Sequence, residues 1–300
     1  MTQFLQLDFA PLLCAILAGA TCGLLGSFLV LRREALLGDA ITHAVLPGIV
    51  LGFAVTGARA GLPMLLGAGA AALLAAWLIS HLRRVARLEG GAATGIVFTS
   101  FFAAGLVLLE TSGARSVDLD VDCVLFGQME TLLWPQAMGP GALLDPVALG
   151  GLPPAVFLLA GVGAAIALAV ALLWQPLKLL CFDADFAQSL GLRVRWLDMA
   201  LHLMLAAAAV AAFEAVGSIL VVALLVAPAA AMRLITNRYT PQVLGGAALG
   251  AAVAALGYGL AGPLPAALGS GHAVSAAGMI GVLSGLVVAG AAMAGRWRHG

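Results

Sequence analysis

About nine stretches of this 300-residue chain run for roughly twenty residues each with hardly a charge among them, the length an α-helix needs to cross a hydrocarbon layer about 30 Å thick. They are Phe9–Leu31, Leu36–Val55, Leu62–Leu82, Ala92–Leu109, Ala155–Trp174, Trp196–Phe213, Val216–Ile235, Val243–Leu260 and Ala273–Ala294. In lipid every backbone amide must be satisfied within the protein, so only helices and closed barrels can span. These Ala/Leu-rich runs lack period-2 alternation, which argues against strands. The composition agrees: 63% of residues are apolar and 9% are charged, where a soluble domain carries about 25% charged residues. The fold expected is all-α, a polytopic transmembrane bundle of about eight or nine spans that occupies residues 1–300 as a single domain in contact with lipid. Small-residue pairs at Gly19/Gly23, Gly48/Gly52, Gly246/Gly250 and Gly281/Gly285 allow helices to approach closely.

Basic residues set the orientation. Arg32 with Arg33, the segment His81 to Arg87, Lys178 with Arg193 and Arg195, Arg233 with Arg238, and Arg296 with Arg298 fall in alternate loops. Cytoplasmic loops carry the Lys/Arg excess, so these loops and the C-terminus are expected inside and the N-terminus outside. Met1 to Phe9 lacks the basic start of a cleaved signal peptide, so the first apolar segment is expected to remain as a span. The connection from Glu110 to Pro154 then faces out. It sets Glu110, Asp118, Asp120, Asp122, Glu130 and Asp145 against one basic residue, Arg115. Such a loop is either a solvated surface or a field that draws cations to an entrance.

Several chemistries are missing. The formal net charge is zero, so no global field attracts nucleic acid. Cys14, Cys22, Cys123 and Cys181 are scattered without a C-x-x-C pair, which suggests neither a disulfide framework nor a structural zinc site. No GxxxxGK(S/T) loop and no HExxH motif is present, and the chain has a single lysine, Lys178. The nearness of Ser270 to His272 in "GSGH" does not set a base beside a nucleophile. No enzyme activity and no permanently bound cofactor are expected of the chain itself.

"GDAITHAVLPG", Gly38 to Gly48, puts an acid and an imidazole inside an apolar run. Asp39 and His43 are four residues apart and so share one helix face. Counting about 1.5 Å per residue from Arg33, they lie roughly 9 Å and roughly 15 Å into the membrane. Burying the acid costs about 2.5–3.5 kcal/mol on insertion scales, so such residues face a pathway or a partner. Carboxylate plus imidazole suits divalent manganese, zinc or iron. A hydrogen bond that locks two helices uses the same spacing, and both readings stand at this point. Glu214 and His202, between Arg195 and Arg233, are the other ionisable candidates inside the bundle. Glu214 falls near the outer turn, where water can solvate it, and His202 also fits an ordinary packing position. Asp198, close to Arg195, is expected to anchor the inner boundary. A transport site is in any case incomplete, because a closed four-ligand cage would hold its ion too long.

"CFDADFAQSLGLRVR", Cys181 to Arg195, carries a helix of about two turns between an N-cap at Asp183 and a stop at Gly191. Phe182, Phe186 and Leu190 are read on its apolar face. The charge rule puts it in the cytoplasm, where its aromatics lie on lipid or fill a groove on a soluble partner. Pro47 and Pro228 interrupt two spans of opposite direction, a pattern that broken helices of an inverted repeat produce.

"GSFLVLRREALLGDAITHAVLPG", "ATGIVFTSFFAAGLVLL", "DVDCVLFG", "FDADFAQSLGL" and "FEAVGSILVVALLVAPAAAMRL" occur in this order from about Gly26 to Arg238. Together they resemble the permease subunits of ABC importers for manganese, zinc and iron, and the likeness continues more loosely to the end. The resemblance implies a type II importer-like bundle in a bacterial plasma (inner) membrane. It implies a dimer, of two copies or of this chain with a sister permease. It further implies an ATP-hydrolysing ABC subunit docked to each permease and an extracytoplasmic metal-binding protein that delivers the ion. The short helix becomes the coupling helix, with Phe182, Asp183, Phe186, Leu190 and Gly191 at the contact. The Asp-x-x-x-His pair of the family's metal site maps onto Asp39 and His43. "VDLDVDCVLFGQME" is nearer to the manganese/iron members than to the zinc ones. A secondary cation transporter driven by an ion gradient is the rival class, and it has no use for a coupling helix.

Overall fold

The computed structural model describes residues 2–56, 61–111, 127, 129–262, 265 and 274–299. Among these residues there is no strand, and nine helices are long and apolar enough to cross a membrane. A short α1 (Thr2–Leu7) leads into α2 (Phe9–Leu31), α3 (Ala35–Thr56), α4 (Gly61–Val85) and α5 (Gly90–Thr111). After α5 follow two 3-10 turns and a one-turn α6 (Pro146–Leu149). Next come α7 (Pro154–Leu172), two short helices α8 (Trp174–Phe182) and α9 (Ala184–Ser189), and α10 (Val194–Val216). The chain ends with α11 (Ser218–Ile235), α12 (Tyr239–Ala261) and α13 (Ala276–His299). Each expected span is present, with its ends moved by a few residues.

The turns follow from local chemistry. α2 stops where Arg32 and Arg33 reach the interface, and Arg33 takes a left-handed φ of 59° that reverses the chain. α7 starts at a proline, whose missing N–H would be unpaired in the first turn anyway. α10 and α11 meet at Gly217, where φ is 77°, a conformation open to glycine without strain.

α2 is the centre of the bundle. It packs on α12, α11, α10 and α7 and is buried along most of its length. Lipid supplies no hydrophobic drive between helices, so close packing and internal hydrogen bonds must hold them. Here they coincide. A Cβ on Gly19 would overlap the carbonyl oxygen of Gly250, and one on Gly23 that of Gly246. Beside this crossing the Ser27 hydroxyl donates to the carbonyl of Gln242 at 3.1 Å, and the Gln242 amide donates to that of Ala229 at 2.8 Å. Three helices are thereby tied together. Gly48 meets Gly67 on α4 in the same manner, whereas Gly281 and Gly285 face open space. Gly250→Ala is therefore expected to lower the melting temperature of the purified protein, at the overpacking cost of about 1–3 kcal/mol. Gly281→Ala should stay within about 0.5 kcal/mol of the parent in the same assay.

Pro47 and Pro228 do not break their spans: both lie inside continuous helices, α3 and α11. Packing against neighbouring helices carries the chain past the missing N–H. Between α5 and α7, the buried Trp134 pins the loop to the bundle. Its indole donates to the carbonyl of Ala148 at 2.7 Å, its backbone N–H to that of Gln6 at 2.8 Å, and its ring lies against Phe9. Asp145 serves as the cap of α6, accepting from the N–H of Val147. Arg115, Asp118, Asp120, Asp122, Cys123, Ser270 and His272 lie outside the described residues, as does the side chain of Glu130.

Candidate metal site

Asp39 and His43 sit in the N-terminal half of α3. Their neighbours Ala40, Ile41, Ala44 and Val45 are buried, which turns the pair toward α5. His43 Nε2 stands 3.2 Å from Asp39 Oδ1. Two phenylalanines of α5 hold the imidazole edge-on, Phe98 with its centroid at 5.1 Å and Phe102 at 5.5 Å. The Thr42 hydroxyl donates to the backbone carbonyl of Asp39 at 2.8 Å. The Asp39 side chain is 38% exposed and that of His43 18%, so the pair is only partly covered. One carboxylate oxygen and one imidazole nitrogen thus converge on a single point. Among the described residues no three His, Cys, Asp or Glu side chains form a metal-holding group. The arrangement offers two donors and leaves the rest of a coordination sphere to water or to another chain.

The two further candidates go elsewhere. His202 on α10 is buried, and its Nδ1 faces Asp198 Oδ2 at 3.6 Å. Glu214 lies two residues before the end of α10, at the far end of that helix from His202, and its side chain is outside the described residues.

Near the N-terminal ends of α3 and α10 the structure adds an ion network that sequence reasoning missed. Asp198 is bound to Arg32, 166 residues away along the chain. Arg32 also donates from Nε to Glu34 at 3.0 Å, and Arg83 donates to the other oxygen of Glu34 at 2.9 Å. Burial disfavours the charged form of Arg32, yet the carboxylates of Glu34 and Asp198 outweigh this and hold its pKa above the ordinary value. These residues border a groove of about 1070 Å³ whose lining includes Cys181, Phe182 and Gln188. Burial pushes the Cys181 thiol up to about 12.

The helix that closes this groove, α9, is built by its ends. The Asp183 carboxylate accepts from the N–H of Phe186 at 2.8 Å. Gly191, with φ of 81°, lets the N–H of Leu192 reach back to the carbonyl of Ala187 at 3.1 Å. Phe186 and Leu190 project from it, 50% and 58% exposed. Phe182 is not on this helix: it ends α8, with its ring 6.2 Å from that of Tyr239, and it too is more than half exposed. Three large apolar side chains are therefore exposed around α9.

The model of the ABC 3 transport family matches residues 3–137 and 153–284. The chain belongs to this family. It is 38% identical over 243 residues to the manganese transport system membrane protein MntD of Bacillus subtilis, covering 81% of this chain and 79% of that one. The zinc transport system membrane protein TroC of Treponema pallidum is 34% identical over 221 residues, 73% of this chain and 68% of its own. Among solved structures, PsaBC from Streptococcus pneumoniae in complex with Fab superimposes with a TM-score of 0.71 at 28% identity, covering 94% of this chain and 89% of that chain. The all-α membrane bundle expected from the apolar runs is thus the family's fold.

Proposed function

We propose that this chain is the membrane-spanning permease of a bacterial inner-membrane ABC importer for a divalent transition metal, manganese before zinc or iron. The observation that carries the reading is the Asp39–His43 pair at membrane depth. Lipid does not solvate a carboxylate that is 38% exposed, so a pathway or a second permease must cover that face. A dimer, of two copies or of this chain with a sister permease, brings a second set of donors to complete a sphere that one chain leaves open. An oxygen and a nitrogen donor suit manganese and zinc, and relatives are named for both metals. The ion is cargo rather than a resident cofactor. ATP hydrolysis belongs to a separate ABC subunit that docks on α9, and an extracytoplasmic metal-binding protein feeds the outer face. The exposed Phe186 and Leu190 give α9 a purpose that a gradient-driven carrier lacks, so that rival is not favoured.

Elemental analysis of cells with and without the gene, starved of each metal in turn, tests the cargo. The deletion strain should lose manganese content under manganese limitation and recover it with the gene restored. Unchanged manganese, zinc and iron in all three starvation series would sink the proposal.

A further inference from the structure

The groove beside the Arg32 network carries positive charge that the network does not use. Among the described residues that line it, Glu34 and Asp198 are the only acids. Both are engaged, Asp198 by Arg32 and Glu34 by Arg32 and Arg83. Arg84, Arg193 and Arg195 border the same groove, and all three are exposed. Among the described residues none of the three forms an ion pair with a carboxylate. Arg84 donates from Nε to the carbonyl of Ser80, one turn back on its own helix, at 3.2 Å. Three uncompensated guanidiniums on one groove call for an anion.

The ends of two spans place this groove at the membrane boundary. Arg84 is in the last turn of α4, where the apolar run Leu66–Val85 stops. Arg193 precedes α10 and Arg195 is its second residue, at the start of the run Val194–Phe213. The two helices pack against each other. Trp196 lines the groove and is 62% exposed, and indoles collect at the level of lipid headgroups. From there α4 carries a graded stripe away from the groove. Arg84, His81, Trp77 and Leu73 are spaced three, four and four residues apart, so they share one helix face. All four are exposed, and the Trp77 ring stacks on the His81 imidazole with centroids 5.2 Å apart. At about 1.5 Å per residue the stripe runs about 16 Å from cation through aromatic to aliphatic. That is the order of polarity along a phospholipid.

We propose that the groove between α4 and α10 holds the headgroup of an anionic phospholipid, its phosphate on Arg84, Arg193 and Arg195 and an acyl chain along Trp77 and Leu73. A guanidinium fork matches phosphate oxygens in pairs, and basic pockets between spanning helices are a recurrent form of headgroup site. A soluble anion would use the arginines and leave the stripe idle. An acidic face on the ATP-hydrolysing subunit would do the same. The lipid uses both. A headgroup held there ties the end of α4 to the α9–α10 connection. The inference goes beyond the metal-permease reading and does not depend on the cargo.

Trp77 and Trp196 are the reporters for the test. Purified permease is placed in phosphatidylcholine bilayers with rising phosphatidylglycerol, one of the two lipids carrying bromine on its chains, and tryptophan quenching is read. Phosphatidylglycerol should be preferred at least about tenfold, since each arginine near the surface adds to the attraction. Arg84→Gln/Arg193→Gln/Arg195→Gln should bring the ratio close to one. Arg233→Gln/Arg238→Gln, at the turn between α11 and α12, should leave it unchanged. Equal quenching by the two lipids in the wild type, or a preference that survives the triple substitution, overturns the site. Loss of the preference in both variants would show a diffuse field instead of a groove and overturn it as well. Trp77→Phe/Trp196→Phe should remove the selective part of the signal, and selective quenching that persists without these indoles puts the lipid elsewhere. Inorganic phosphate at constant ionic strength, or added ABC subunit, should leave the wild-type preference in place. Its erasure by either would assign the arginines to a soluble anion or to subunit docking, against the proposal.

Discussion

His43→Ala and Asp39→Asn are each expected to abolish metal uptake while leaving the permease folded and assembled. His43→Ala removes the nitrogen donor, and Asp39→Asn keeps the shape but removes the charge that offsets the ion's lost hydration. Loss of an outer-shell partner alone costs about 10–100-fold in metal affinity, so loss of one of two ligands should cost about 100-fold or more in uptake per molecule. The structural reading of the pair makes a different forecast. His43 packs edge-on against Phe98 and Phe102, so deleting the ring would loosen the α3–α5 contact and lower the melting temperature. Uptake would then fall only with the amount of folded protein. Melting temperature and uptake per folded molecule, read on the same samples, separate the two. Asp39→Asn is the cleaner variant, because it leaves the aromatic packing untouched.

The second large effect concerns coupling. Phe186→Ala should release the ATP-hydrolysing subunit without unfolding the permease. Phe186 is half exposed, so the bundle loses little when it is truncated. Truncating an aromatic anchor in an interface costs about 2 kcal/mol or more, which is roughly 30-fold in affinity. Asp183→Ala should weaken docking less, since it removes an N-cap worth about 1 kcal/mol and leaves both apolar side chains in place. Co-purification of the ABC subunit with each variant, at matched permease levels, reads the effect. Normal recovery with Phe186→Ala would mean that α9 is not the contact.

The membrane helices could be read from the residues because lipid enforces long apolar runs, and charges at their ends mark the boundaries. α9 could be read for another reason: its start and stop are set by Asp183 and Gly191, which act on neighbours within a few residues. Phe182 was placed on that helix because it is four residues before Phe186. The N-cap at Asp183 separates them, and Phe182 instead closes α8, a helix hidden by its Pro176 and its mixed polar pattern. The spacing of Asp39 and His43 is local and visible, but their turn toward α5 and the two flanking phenylalanines come from packing. The inner network was invisible. Arg32 and Asp198 are 166 residues apart, and nothing near either one names the other. Without that contact Asp198 reads only as an anchor of the inner boundary, and His202 as either a metal ligand or an ordinary packing residue. The glycine pairs show the same division. Pairs alike in sequence split into those at a helix crossing, Gly19/Gly23 against Gly246/Gly250, and one that faces open space, Gly281/Gly285.

Metal uptake into vesicles that contain the permease with its ABC subunit tests the central claim most directly. Radiolabelled Mn²⁺ should accumulate only when ATP is supplied on the cytoplasmic side, and it should persist when the proton gradient is collapsed. Vesicles carrying Asp39→Asn, with the same amount of folded permease, should accumulate none above background. Uptake that follows the proton gradient and ignores ATP, or full uptake through the Asp39→Asn protein, would contradict the account.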